Sequence, residues 1–324
     1  MPSLFERCSR ALLLPLATLI SPLSALAQAY PERPVKIVVP YPAGSTPDAL
    51  ARIVSEGLAK RINQNVIVEN KPGAGGMIGA KAVSDASPDG GTLLMYTSAW
   101  SAAKIFNLKP MVAVPEGLEP VTMVAEGPFA LTSSAAFAPR SFNELVSYAK
   151  ANPGKVNFAT TGQGDNFLYL HLMQKEKGFR MEGIQYKGSA EYVAALVSND
   201  VQVAITPQYS MLPLVKEGKL RILAVSGNAR SKVYPDVPTF KELGLPQIRN
   251  NWFSMFAPRN TPAPLVQKLS ADLAAVIKSP DVSRRIQEVY FEPVGSSSDQ
   301  LRQRINTEIT EWSALAKAVG IEPK

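Results

Sequence analysis

Residues 38–52 read VVPYPAGSTPDALAR, and the fold turns on how this stretch changes character. A valine-rich run stops at Pro40 and Pro42, which lack the N–H a central strand needs. Gly44, Ser45 and Thr46 follow. Apolar residues then recur at helical spacing, at Leu50, Ile53, Val54, Leu58 and Ile62. Ser45 or Thr46 suits an N-cap, Pro47 the first helical position and Asp48 the first turn. Upstream, VKIVV (35–39) is apolar without alternation, as in a strand buried on both faces. The stretch is a strand delivered through a tight turn to a helix N-terminus.

Working outward, the same unit recurs. Residues 66–68 form a strand, NKPGAGG (70–76) a loop, 78–86 a helix and TLLMYTS (92–98) a third strand. This alternation predicts a parallel sheet covered by helices. An extended segment, PVTMVAEGPFALT (120–132), is interrupted at Gly127-Pro128. The alternation then restarts. SFNELVSYAKAN (141–152) is a helix with Ser141 and Glu144 spaced as a capping box. VNFATT is a strand, GQGDN leads into the helical FLYLHLMQKEKG, and EYVAALVSNDVQVAI supplies another helix and strand. KLRILAVS (219–226) is extended, and two helical stretches follow at 262–279 and 298–319. The expectation is two α/β domains joined by crossing segments at 120–132 and 219–228. Domain 1 is discontinuous, 28–126 with 229–324, domain 2 is 127–228, and a small-ligand cleft lies between them.

Composition narrows the function. Hydrophobic residues make up 46% and charged residues 19%, a globular balance rather than a disordered one. Arg7 and Arg10 precede an apolar run, Ala11 to Ile20, and Ala25-Leu26-Ala27 fits a cleavage site before Gln28. Residues 1–27 therefore read as a secretory signal peptide, too short in its apolar part to anchor, so the mature protein is expected to be exported and soluble. The single cysteine, Cys8, lies inside that leader, which removes disulfides, thiol nucleophiles and zinc-thiolate sites from the mature chain. The single histidine, His171, sits in an apolar helix, a poor place for a catalytic base. The charge of +7 is scattered, so it reads as a solvated surface with a mild attraction for anions and not as a nucleic-acid stripe.

A strand ending at a helix N-terminus presents free N–H groups and the positive end of the helix dipole, both favourable to a carboxylate or phosphate. Residues 158–168, FATTGQGDNFL, repeat the device of the opening stretch. Two such turns facing each other would grip a small anion. GAGGMIG (73–79) lacks the glycine spacing and the later acidic residue of a dinucleotide site, and reads as a tightly packed turn. Trp100, Tyr186, Tyr209, Trp252 and Phe253 are large enough to line a cleft or fill a core.

The segments YPERPVKIVVPYPAG, VIVENKPGAGGMIGAKAV, SPDGGTLLMYTS, ANPGKVNFATTGQG, QYKGSA, GKLRILAVS and YPDVPTFKELGLP occur in the order and spacing of one family. Over residues 30–324 the chain resembles the Bug-type extracytoplasmic solute receptors, the binding-protein components of tripartite tricarboxylate transporters. The resemblance implies a type II periplasmic binding protein fold, a monomeric receptor without cofactor or metal, no nucleic-acid partner and no enzymatic activity. It implies capture of a small carboxylate by cleft closure and delivery to membrane permease subunits. A sensor subunit presenting the metabolite to a receptor kinase would use the same pocket. By resemblance, Tyr41, Pro42, Ala43, Gly44, Ser45, Thr46 and Asp48 form one gripping loop. Thr160, Thr161, Gly162, Gly164 and Asp165 form the other, and Thr97, Ser98, Tyr186, Gly188, Ser189 and Thr206 complete the pocket. The chain departs from the family pattern at Ser45, usually glycine, at Asp165, usually serine or threonine, and near Leu168 and Thr206, where a histidine and an aspartate are common. Asp165 either caps its helix or pairs with a ligand amine.

Overall fold

The computed structural model describes residues 31, 33–106, 111–161, 164–186, 189–231 and 233–321. The expected leader, 1–27, lies outside them, as do Gly162 and Gly188.

Two sheets carry the fold. In the first, β1 (Val35–Val39) pairs in parallel with β2 (Val66–Asn70) and β3 (Thr92–Thr97). Helices α1 (Thr46–Ile62) and α2 (Met77–Ser84) make the crossovers. These three strands are parallel, as the alternation over 35–98 predicted, but the sheet extends beyond them. Strand β10 (Asn251–Pro258) inserts antiparallel between β3 and β4 (Leu118–Gly127), and β11 (Glu292–Pro293) pairs on the far side of β4. Every residue of β10 is buried, so its sequence shows no alternation to distinguish it from other apolar runs.

The second sheet has the order β7 (Glu182–Gln185), β6 (Asn157–Thr160), β8 (Val203–Pro207), β5 (Phe129–Ser134), β9 (Leu220–Val225). Strand β5 runs antiparallel to both neighbours, while β6 is parallel to β7 and β8. Helices α4 (Phe142–Ala151), α5 (Asp165–Lys177), α6 (Ser189–Ser198) and α7 (Gln208–Lys216) belong to this half. At the start of α4, Ser141 accepts a hydrogen bond from Glu144 N–H, but the Glu144 carboxylate turns to Arg140 N–H at 2.9 Å. A complete capping box forms instead at Ser297 and Gln300, opening α10 (Ser298–Ala318).

The chain passes between the sheets at Gly127–Pro128 and again between Ser226 and Asn251. These crossings lie side by side. Asn251 pairs with Gly127, Ser226 N–H donates to Phe129 O, and Phe129 N–H donates to Ser226 Oγ, the last two at 2.8 Å. Ser226 Oγ also meets Asn250 Oδ1 at 2.7 Å. Residues Phe240, Leu245 and Ile248, on the second connection, pack into the core of the second sheet with Phe129, Phe158 and Tyr169.

Two helices straddle the junction. On α10, Leu301 and Ile305 enter the first core, while Trp312 and Ala316 enter the second. On α3 (Ala99–Phe106), Trp100 packs in the first and Ala102 and Ile105 in the second. At 1.5 Å per residue α10 is about 30 Å long, enough to lie across both lobes. Among the described residues no helix is long and apolar enough to cross a membrane.

Candidate functional site

The site lies where the strands of both sheets end. Tyr41 follows β1, Thr97 closes β3, Thr160 closes β6, Tyr186 follows β7 and Thr206 is the penultimate residue of β8. Because β10 runs antiparallel to β3, its first residue, Asn251, reaches the same edge.

The first loop is braced from below. Gly44 has φ +80°, a left-handed conformation glycine adopts without strain. Its N–H donates to Asp48 Oδ2 at 2.9 Å. Asp48 is 3% exposed and also accepts from Arg52 Nε and Nη2, at 3.1 and 3.0 Å, and from Asn70 Nδ2 at 2.9 Å. Burial pushes its carboxyl up, but the hydrogen bonds from Arg52, Gly44 and Asn70 outweigh this and hold it below the usual range. Asp48 therefore supports the loop from inside. Ser45 is the N-cap and Pro47 the second helical residue, one position later than the sequence predicted. The Ser45 side chain makes no capping bond, and its Oγ is buried without a hydrogen-bond partner among the described residues. Pro42, Ala43 and Gly44 are exposed, while Tyr41, Ser45 and Thr46 are half-buried. Tyr41 OH meets Thr97 Oγ1 at 2.9 Å, and burial pushes its phenol above the usual range.

The second loop differs. Thr160 O accepts from Tyr186 N–H at 2.8 Å, tying the ends of β6 and β7 together, and Thr161 is exposed. Gly164 is the N-cap of α5. The first amides of this helix are taken by the chain itself: Asn166 N–H by Asp165 Oδ1 and Phe167 N–H by Asn166 Oδ1, both at 2.8 Å, and Leu168 N–H by Gly164 O at 3.1 Å. Ser189 opens α6, and Thr206 is 1% exposed with its Oγ1 lacking a partner among the described residues.

The two halves meet at Ser98, Asp165 and Asn251. Ser98 Oγ donates to Asp165 Oδ2 in a very short contact and lies 2.7 Å from Asn251 Oδ1. The serine has one hydrogen for two acceptors. Ser98 is 1% and Asp165 7% exposed. Burial raises the Asp165 carboxyl above its usual range, against the lowering effect of the bonds from Ser98 and Asn166. Of the two sequence-based roles for Asp165, helix capping and pairing with an amine, the first is partly realised through Asn166 N–H.

Beneath this cluster lies an acid that sequence reading missed. Glu308 on α10 is fully buried, and its two oxygens accept from Trp252 Nε1 at 3.0 and 2.9 Å. Arg304 Nε donates to Oε1 at 2.6 Å. Burial raises the Glu308 carboxyl despite the nearby guanidinium. Trp252 O in turn accepts from Ser98 N–H at 3.0 Å, so a chain of hydrogen bonds links Glu308 to this cluster through β10. A signal was present: Glu308 falls on the apolar stripe Leu301, Ile305, Trp312, Ala316. Asn251 gave none.

Trp100, Trp252 and Phe253 are buried in the cores, and Tyr209 packs beside Phe291 with ring centroids 6.1 Å apart. His171 lies against Phe167, ring centroids 4.3 Å apart and tilted by 60°, and burial lowers its pKa. GAGGMIG is a packed turn: Tyr96 OH donates to Gly75 O at 2.7 Å, and a Cβ on Gly76 would lie 2.7 Å from the Tyr96 ring.

Residues 50–321 match the family model of the tripartite tricarboxylate transporter family receptor, TctC. Protein BugT of Bordetella pertussis is 33% identical over 312 residues, which are 95% of each chain. The structure of the periplasmic binding protein BugD superposes with a TM-score of 0.81 at 30% identity, covering 91% of this chain and all of BugD. Rpa4515 of R. palustris, solved with adipate, gives a TM-score of 0.84 at 28% identity with the same coverage. With two α/β lobes, strand-end loops converging on one junction and these relatives, the chain belongs to the tripartite tricarboxylate transporter receptor family, as a periplasmic solute-binding protein and not an enzyme.

Proposed function

We propose that this receptor captures a small carboxylate-bearing metabolite between its two lobes by hinge closure and hands it, as a monomer, to membrane permease subunits. The lobes are residues 28–126 with 229–324, and 127–228, with Phe240, Leu245 and Ile248 of the connection packed onto the second, and the mature chain is released from a leader cleaved between Ala27 and Gln28. The observation that carries this reading is the α1 turn. It ends a strand at a helix N-terminus with no side-chain cap, with Gly44 held open by Asp48 and Ser45 Oγ buried and unpartnered among the described residues. Such a turn fits a carboxylate. The adipate bound by Rpa4515 supports that ligand class. Tyr41, Thr97, Ser98, Thr160, Thr161, Tyr186 and Thr206 wall the pocket in this reading, Pro42, Ala43 and Thr46 complete the first loop, Gly164 belongs to the second, and Gly162, Gly188 and Ser189 join the site by resemblance alone.

The test is thermal unfolding of the mature protein against a panel of mono- and dicarboxylates, with X-ray scattering of any hit. A ligand at a hundred times its Kd should add about 2.7 kcal/mol. The expected result is stabilisation by at least one carboxylate, a smaller radius of gyration on binding, and loss of both in Ser45→Val. Stabilisation only by uncharged or cationic solutes would refute the reading.

A further inference from the structure

Resting on closure of the two lobes, we infer that Glu308 is a positioning residue for that movement. Its carboxylate pins α10 to the start of β10 in the plane between the two cores. The lobes turn about this plane, and the half of α10 beyond Glu308 travels with the second lobe.

Among the described residues, three elements of the first lobe pass from one core to the other, and each changes core at a buried polar residue. On α3, Trp100 packs in the first core and Ala102 in the second, with Ser101 between them. On α10, Ile305 packs in the first and Trp312 in the second, with Glu308 between them. On the second connection, Ile248 packs in the second core and Trp252 in the first, with Asn251 between them. Ser98 and Asp165 continue the same layer toward α5. A rigid junction would carry close apolar packing through from core to core. A polar layer between two apolar bodies is instead the composition of interfaces between domains that move.

Within that layer Glu308 makes the cross-element bond. Trp252 Nε1 shares its one hydrogen between the two carboxylate oxygens, at 3.0 and 2.9 Å, and Arg304, one turn back on the same helix, donates to Oε1. Two further hydroxyls stand around this acid. Burial raises the Glu308 carboxyl, and Ser101 on α3 is among the groups that lower it. Burial also raises the Tyr169 phenol on α5, with Asp165 and Glu308 adding to the effect. Neither hydroxyl makes a hydrogen bond of full geometry among the described residues. A carboxylate has about four acceptor positions, and one indole hydrogen and one guanidinium N–H leave some of them open. Glu308 can therefore keep Trp252 and gain Ser101 or Tyr169 when the lobes shift, which gives a second arrangement its own stabilisation. Beyond Glu308 the helix is held by the second lobe: Trp312 lies edge-on to Tyr169, ring centroids 6.0 Å apart, and Ala316 is fully buried in that core.

The experiment uses spin-label distances in the mature protein, to which Cys8, the single cysteine of the chain, does not contribute. One label pair, Ala314→Cys with Lys150→Cys, joins the far half of α10 to α4 of the second lobe. The other, Ala314→Cys with Lys60→Cys, joins it to α1 of the first. Glu308→Leu should broaden or shift the second distance by several ångströms and leave the first unchanged. Glu308→Gln, which still accepts from Trp252, should stay near wild type in both. Trp252→Phe removes the same bond from the other side and replaces Glu308→Leu if that variant folds poorly. By calorimetry, Glu308→Leu should bind succinate and adipate about tenfold more weakly and to the same degree, since the residue touches no ligand. A folded Glu308→Leu that melts earlier while both distances hold has lost a structural bond only, and the inference falls. It also falls if the distance to Lys150 is the one that changes, because α10 then moves with the first lobe. If the distances respond as expected but the wild type binds neither acid, the pivot stands and the carboxylate reading is what fails.

Discussion

Replacing Asp48 should loosen the binding loop and destabilise the fold by an amount the structure lets one work out. Its carboxylate, 3% exposed, accepts from Gly44 N–H and Asn70 Nδ2, each at 2.9 Å. A hydrogen bond to a charged group contributes about 1.5–3 kcal/mol. Gly44 is exposed, so water replaces part of that bond in the variant. The Arg52 guanidinium is half-exposed, and its pairing adds about 0.5 kcal/mol. Asp48→Ala should therefore lose about 3 kcal/mol, and Asp48→Asn, which keeps shape but not charge, about half of that. The pH dependence has a definite sign. The Asp48 carboxyl is held below its usual range by Arg52, Gly44 and Asn70 against the effect of burial, so its contribution is present above the unfolded value and lost as pH falls through the folded one. The gap between wild type and Asp48→Asn should close as pH falls below the ordinary aspartate range. Urea unfolding over a pH series measures this, and titration of a carboxylate ligand should show about tenfold weaker binding to Asp48→Asn. An Asp48→Ala protein within about 0.5 kcal/mol of wild type, or a gap that does not move with pH, would refute the bracing role.

Glu308→Gln tests the buried acid. Burial raises its carboxyl, so its favourable contribution is full below the unfolded value and is lost as pH rises through the folded one. The Gln variant should be the less stable protein in acid, with the deficit shrinking toward neutral pH in thermal melts. A deficit that grows with pH contradicts the assignment. At the crossing, a Cβ on Gly127 would lie 2.3 Å from Phe291 Cδ1. Gly127→Ala should lose about 1–3 kcal/mol in chemical denaturation, and adding Phe291→Leu should recover part of it. If the second substitution only adds to the loss, the contact is not what makes glycine necessary there.

The local units of this fold were readable because their causes are local. Pro40, Pro42, Gly44 and Pro47 restrict backbone conformation whatever surrounds them, and the helical spacing from Leu50 to Ile62 needs only one apolar face. The break at Gly127-Pro128 likewise shows in sequence as a strand that cannot continue. What depended on distant partners was not readable. Strand β10 is buried throughout, so nothing in NWFSMFAP marked it as the antiparallel centre of the first sheet. Glu144 had the spacing of a capping box, yet its carboxylate bonds Arg140 N–H, one residue short of closing it.

By itself the sequence determined two sets of strand-loop-helix units, and its motifs resembled those of one receptor family. Only tertiary structure decided what their turns are free to hold. Asp48 appeared from sequence as a pocket residue, but folding points it inward to Gly44, Asn70 and Arg52. Asp165 could have faced a ligand amine or capped its helix, and the meeting of the lobes sets it against Ser98, whose other neighbour, Asn251, lies 153 residues further along the chain. Glu308 became part of the site's support only because α10 lies across both cores. Spacing within a segment fixes which face a residue takes, whereas a charge buried between lobes takes its meaning from groups that the chain brings together only once it has folded.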